Sequence, residues 1–259
     1  MSSFAKGGQL DPSRSYIVTC VGRKGSGKSI MALLLFRSYP YDRLVLDIAG
    51  DDGPTGPDVI DLHGDVDSLP ARWPEHLRQD GRQLTLRYVP DPGSPTYLED
   101  MDHLIGVAYR HGHVGILVHE IHQLAPSGRT PPHMRRVLQM SRHQHISLFA
   151  CGPRPVTVDP LVLQQSDLVY VFKLPNPNDR KRVAETIGYE PRDMDEYVRA
   201  VGVNECLRFD ANEQDPSDAN GQDYRLVHLP PLPADDVTEL KRWALRGLSE
   251  PTPPRRTGL

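Results

Sequence analysis

VGRKGSGKSI, residues 21–30, follows the β-prone run SYIVTC (15–20) and opens onto KSIMALLLFRSY (28–39), a run of helix formers with few breakers. Gly22, Arg23, Lys24, Gly25, Ser26, Gly27, Lys28 and Ser29 fit G-x-x-x-x-G-K-[ST]. The setting gives the pattern its meaning: a strand, a glycine loop, then the start of a helix. Glycines let successive backbone N–H groups curl around phosphate oxygens. The first helical turn adds its own free N–H groups and the positive end of its dipole. All eight residues are therefore candidate nucleotide ligands. Lys28 is expected to reach the β- and γ-phosphates and the Ser29 hydroxyl to ligate Mg²⁺, so ATP and Mg²⁺ are the expected cofactors. A plain glycine turn is the alternative.

A chain of 259 residues is long enough for one large domain, or a domain with an appendage. No apolar run approaches the roughly 18 residues of a membrane helix, and the start MSSFAKGGQLDPSRS lacks the apolar centre of a secretory signal. A cytoplasmic location is expected. Cys20, Cys151 and Cys206 lie far apart, two of them in predicted strands, which reads as buried thiols. The formal charge of -4 excludes a protein that coats nucleic acid with an overall basic surface, so any DNA contact must be local.

Further along, VGILVHEIHQL (114–124) reads as an apolar strand ending in an acid, Glu120. Nucleotide hydrolases need such an acid to polarise the attacking water, and Glu120 is the expected general base. Capping of the following helix is the other reading of Glu120. His119 stands where a second carboxylate is usual for holding the metal. Asp47, ending RLVLD (43–47), is the spare candidate. His111, His113, His119 and His122 raise the question of zinc, but they bracket a strand and no cysteine joins them, so polar strand ends are the simpler account.

Residues 135–188, RRVLQMSRHQHISLFACGPRPVTVDPLVLQQSDLVYVFKLPNPNDRKRVAETIG, add an ordered series: an Arg-His helix end, a short strand, an Arg-Pro turn, QSD, and the strand LVYVFKL. Together with the glycine loop and ILVHEIHQL, this series resembles the HerA/FtsK superfamily of DNA-pumping ATPases. Within it, the chain resembles the compact genome-packaging ATPases of membrane-containing double-stranded DNA viruses. The resemblance covers roughly residues 13 to 190. It implies an ATP hydrolase that translocates double-stranded DNA, works as a homo-oligomeric ring, a hexamer, and meets capsid or membrane-vertex proteins in the host cytoplasm. It implies that Arg142, in SRHQHIS, completes a neighbour's site, with Arg135 and Arg136 behind it as candidates. A solvated helix end is the alternative for Arg142. Pro153 falls where the family has the glutamine of Gln-Arg-Pro, a γ-phosphate sensor, and Gln144, Gln164 and Gln165 are the candidates to compensate.

Strands are predicted at 15–21, 43–48, 84–89, 114–119, 146–151 and 167–173, with helices between several of them. This alternation indicates an α/β sandwich with a mostly parallel sheet. With the resemblance, the expected fold is a three-layer P-loop NTPase of RecA/ASCE type with a small C-terminal extension. The expected organisation is an arm at 1–12, the ATPase core at 13–190, an extension of helix, strand pair and helix at 191–249, and a disordered Pro-rich tail at 250–259. Residues 49–81, acidic and rich in turns, read as a surface excursion with a short helix. The final helix is expected to pack on the core or to contact another copy.

For DNA, APSGRTPPHMRR (125–136) is the expected contact, with Arg129, Arg135 and Arg136 aimed at phosphates in a ring's pore. Arg180, Lys181 and Arg182 read as a solvated helix face. The leading functional reading is genome packaging, and a plasmid or cellular DNA pump is its near alternative. A nucleotide-dependent switch with little turnover is a different class, motivated by His119 and Pro153. A small-molecule kinase is disfavoured by the series after Glu120.

Overall fold

Four runs of the sequence are buried without interruption: Ile17–Val21 (β1), Val114–Val118 (β5), Ser147–Gly152 (β6) and Leu168–Val171 (β7). Unbroken burial means that both faces of each strand are covered, the condition for a parallel sheet between helical layers. The computed structural model describes residues 10–11, 13–50, 53–54, 59–64, 66–78, 81–211 and 225–245. The tail 250–259 and most of the arm 1–12 lie outside these. Asp42–Leu46 (β2), Val59–His63 (β3) and Thr85–Val89 (β4) extend the sheet on one side; Cys206–Asp210 (β8) and Arg225–Leu229 (β9) extend it on the other. The order is β3-β4-β2-β5-β6-β1-β7-β8-β9. Pairing is parallel from β3 to β7 and antiparallel for β8 and β9.

Alternate residues of β1 divide the core. Val18 and Cys20 join Met31, Leu35 and Phe36 of Lys28–Arg37 (α1) and Leu240 of Ala234–Leu245 (α8). Ile17 and Val21 face the opposite layer. That layer holds Tyr97–His111 (α2), Ile121–Leu124 (α3), Pro132–Met140 (α4), Pro160–Gln164 (α5), Pro177–Ile187 (α6) and Pro191–Ala200 (α7). The result is the α/β three-layer architecture with a mostly parallel sheet that the sequence indicates. No described helix is long and apolar enough to cross a membrane.

The excursion at 49–81 differs from expectation. It holds strand β3 and two 3-10 turns, Val66–Ser68 and Glu75–Leu77, where a short helix was expected. β3 sits at the sheet edge with Leu62 buried and Asp61 and His63 exposed, a one-sided alternation that its Gly and Pro neighbours obscure. Trp73, also within this segment, is buried and donates to Asp42 Oδ2 at 3.0 Å. The C-terminal strands join the main sheet, and α8 packs on α1 through Leu240 and an Arg37–Glu239 ion pair at 2.6 Å. Arg180 departs from the solvated reading: it is buried and donates to Asp195 at 2.6 Å and to the carbonyls of Leu174 and Pro175, each at 2.7 Å.

All three cysteines are buried and free. Burial pushes the Cys206 thiol up to about 12 from its ordinary 9.0 and moves Cys20 in the same direction, with Cys151 beside it adding to the effect. Burial likewise raises the phenols of Tyr39 and Tyr170. These groups stay neutral in the folded protein, whereas in the unfolded chain they ionise above about pH 9. Cys151 is shifted the other way, to about 6, by its hydrogen bond to Cys20 and by His119 beside it, and its contribution is complete by about pH 9; beyond about 9 the raised groups act alone and stability is expected to fall. Urea midpoints across pH 7 to 10.5 check this, and a flat profile would mean these groups are not sealed from water.

Candidate nucleotide site

Two backbone bonds fasten the glycine loop to the carboxyl edge of the sheet. Gly22 N–H donates to Gly152 O at 3.2 Å, and Arg23 N–H to Lys173 O at 3.2 Å, so the loop is tied to the chain leaving β6 and β7. Gly22 has no room for a side chain, since a Cβ there would lie 2.6 Å from Phe172 Cβ. Gly27, at φ 98, occupies the left-handed region that glycine enters without strain, and it turns the chain directly into α1. The first helical bond runs from Met31 N–H to Gly27 O at 3.0 Å. The N–H groups of Lys28, Ser29 and Ile30 consequently have no partner within the helix. Lys28 is 7% exposed, and its ammonium makes no ion pair or hydrogen bond with any described residue. The Ser26 hydroxyl is buried without a partner. A buried cation and an orphaned hydroxyl beside free N–H groups form a cradle whose electrostatics are completed by an anion.

The cradle forms one end of a pocket of about 570 Å³. Glu120 and Pro153 line it as well. Glu120 ends the chain leaving β5 with φ 59 and ψ 50, a left-handed conformation uncommon outside glycine, asparagine and aspartate. Its carboxylate does not cap α3, so the capping account of this residue falls away. His122 Nδ1 lies 3.3 Å from Glu120 Oε2. A strained, partly exposed carboxylate opening onto a phosphate-sized cradle can accept a proton from water there.

Other expected ligands are not brought to this pocket. His119 is buried against the Cys151 thiol and is not among the pocket's lining residues. Asp47 is fully buried, and Arg87 grips it through Nη2 at 2.6 Å and Nε at 3.0 Å. It follows β2, three strand positions from β1, or about 14 Å across the sheet. Gln144, Gln164 and Gln165 precede β6 and β7, at the amino edge, so none can replace a sensor at Pro153 within the same copy. The four histidines go separate ways. His111 stacks on Trp73 beside Asp42 and Glu75, His113 stacks on His145, His119 meets Cys151, and His122 meets Glu120. Among the described residues no group of three could hold a metal ion on its own. A magnesium ion shared with bound phosphates fits differently, because it keeps several waters and needs few protein oxygens. The Ser29 hydroxyl, in the first turn of α1, and the Glu120 carboxylate both line the pocket and suit that role.

Arg142 sits in the 3-10 turn Ser141–Gln144 before β6 and pairs with Asp167 at 2.7 Å, while its side chain stays 72% exposed. Asp167 in turn accepts from Ile17 N–H at the start of β1, at 2.8 Å. Arg142 thus lies at the amino edge of the sheet, about 16 Å of strand away from its own cradle. Arg129 and Arg135 are exposed. Arg136 is also exposed and lays its guanidinium over Tyr109, 4.6 Å from the ring centroid. Asp102 of α2 holds the start of α4, which carries Arg135 and Arg136, by accepting from His133 N–H at 3.1 Å and Met134 N–H at 2.9 Å. Asn204, Leu232, Val237 and Lys241 also line the pocket and were not among the expected site residues. No local pattern marks them, since β8 and β9 must first add to the sheet beside β7.

No protein-family model and no curated protein matches the sequence. Solved structures do match. The genome-packaging NTPase B204 of Sulfolobus turreted icosahedral virus 2, in complex with sulfate, superposes with a TM-score of 0.62 at 18% identity, covering 86% of this chain and 98% of that one. Its complex with AMP gives 0.61 at 17% identity, covering 86% and 100%. B204 described as the DNA-packaging ATPase of Sulfolobus turreted icosahedral virus gives 0.58 at 18%, again covering 86% and 100%. The chain therefore shares the P-loop NTPase fold of these packaging proteins, as the resemblance to the HerA/FtsK superfamily implied.

Proposed function

We propose that this protein is an oligomeric ATPase that translocates double-stranded DNA and packages a genome into a capsid. The observation that carries the proposal is one pocket in which the glycine cradle, the unpaired Lys28 and the orphaned Ser26 hydroxyl share walls with Glu120, on the fold of a packaging NTPase. The N–H groups of the cradle and Lys28 bind the phosphates and neutralise the charge that grows on the leaving group. Glu120 takes the proton of a water attacking the γ-phosphorus in line. A magnesium ion held by Ser29 and the phosphates would draw further negative charge from the transferred group. Arg142, remote from its own cradle, supplies its guanidinium to the nucleotide of a neighbouring copy. Arg129, Arg135 and Arg136 contact DNA phosphates without regard to sequence, and a ring multiplies those few cations. Capsid or membrane-vertex proteins at the packaging vertex in the host cytoplasm complete the assembly.

Steady-state ATP hydrolysis measured with and without double-stranded DNA, over a range of protein concentrations, tests this. Stimulation by DNA and a rate per chain that climbs with concentration are expected. A second reading, a nucleotide-dependent switch, is favoured by Pro153 on the pocket wall and by His119 turned away from it. ATP binding with no turnover under any condition would replace the motor with the switch.

A further inference from the structure

His122 stands two residues beyond Glu120, and the reaction described above leaves it without a role. Its side chain is 28% exposed, yet Nδ1 is sealed from solvent and completes no hydrogen bond with any described residue. The Nδ1 side of the ring therefore faces inward, and what it meets is Glu120 Oε2 at 3.3 Å. Residues two apart in a continuous helix point in different directions. These two meet because Glu120 is left-handed, at φ 59 and ψ 50, and α3 begins only after it. The turn that carries His122 is firmly seated. Ile121 and Leu124 are buried, and a Cβ on Gly152 would lie 3.2 Å from Ile121 Cγ2. Ala125, just past the turn, donates to Ile121 O at 2.7 Å and accepts from Asp159 N–H at 3.0 Å.

A general base works only when its oxygen is aimed at the proton it removes, and a misplacement of about 1 Å costs about a hundredfold in rate. A glutamate carboxylate sits on a long side chain and turns freely unless one of its oxygens is held. A donor fixed against Oε2 holds it and leaves Oε1 for the water. On the premise that Glu120 is the base of a nucleotide hydrolase, we infer that His122 is the residue that positions its carboxylate. The imidazole proton sits on Nδ1, because a lone pair there would face the negative oxygen. His122 does not line the pocket, so it acts only through Glu120. At 3.3 Å the contact is longer than a completed hydrogen bond to a carboxylate, roughly 2.7–2.9 Å, and it tightens when nucleotide and water fill the site. The strain at Glu120 then has a use: the left-handed turn is what sets the acid against the ring.

Steady-state ATP hydrolysis by the full chain tests this. His122→Ala should lower kcat by about tenfold to a hundredfold and leave KM and the calorimetric affinity for ATP unchanged. Two amides discriminate. Asparagine can place its N–H donor where Nδ1 stands, and glutamine places its own nearer Nε2. His122→Asn should therefore recover most of the lost rate, and His122→Gln should not. With Glu120→Gln already in place, adding His122→Ala should lower the residual rate no further. Nitrogen NMR of the histidines in mildly alkaline solution should find the His122 proton on Nδ1 in the wild type and on Nε2 in Glu120→Ala. An unchanged kcat in His122→Ala, weakened ATP binding in that variant, equal rates for the two amides, or a wild-type proton on Nε2 would each overturn the inference. Full turnover by Glu120→Gln, or none by the wild type, would instead remove the hydrolytic role of Glu120, and the role of His122 with it.

Discussion

Lys28→Ala is expected to lower ATP hydrolysis by about a thousandfold or more while leaving the ligand-free protein as stable as before. The first part follows from charge: removing one preorganised donor from a developing oxyanion costs roughly a hundred- to a thousandfold in rate, and Lys28 carries a full charge in a nearly closed site. The second part follows from the unpaired state of Lys28. Its ammonium has no partner to lose among the described residues, and a buried cation without a counter-ion opposes folding. The midpoint of thermal unfolding without nucleotide should therefore stay level or rise. With saturating ATP the wild type should gain about 3 kcal/mol at a hundredfold excess over Kd, and the variant should gain much less. Scanning calorimetry with and without ATP, beside a hydrolysis assay, reads both effects. A variant that keeps its turnover would remove Lys28 from the chemistry.

Asp47→Asn should show the reverse profile, a large loss of stability with little change in nucleotide affinity. Asp47 is fully buried, and Arg87, itself buried, spends two donors on it. Removing one member of such a pair leaves the other charge uncompensated, at a cost of about 3–5 kcal/mol. For a chain of this size that is a fall of roughly 10 °C in unfolding temperature. ATP affinity, measured at a temperature where the variant is folded, should match the wild type. If Asp47 instead served the metal, the variant would keep its unfolding temperature and lose Mg²⁺-dependent hydrolysis.

Asp47 also illustrates where sequence reading runs out. An acid at the end of an apolar strand has the same local signature whether it holds a metal or an arginine. The distinction came from β4, which sets Arg87 beside Val45 and so within reach of Asp47. Glycine-loop geometry was legible because it is local: residues 22–29 act through their own backbone. The central strands were legible because burial on both faces leaves an apolar run that no helix period explains. β3 was not, since an edge strand needs only one apolar face, and Leu62 alone of its five residues is buried. Asn204, Leu232 and Val237 were invisible for a third reason. Their neighbourhood to the loop depends on antiparallel strands that add to the far side of β7, which no spacing in the sequence encodes.

Because the seven strands from β3 to β7 in sheet order all run the same way, the sheet has two unlike rims, with the cradle on one and Arg142 on the other. In a ring, the contact that brings the Arg142 of one copy to the cradle of the next joins dissimilar surfaces, head to tail. Such a contact has an arrow, and closure into a circle depends on the angle between neighbours instead of a self-matching patch. Every copy then presents the same face to the same side, so the polarity of the strands becomes the polarity of the whole assembly.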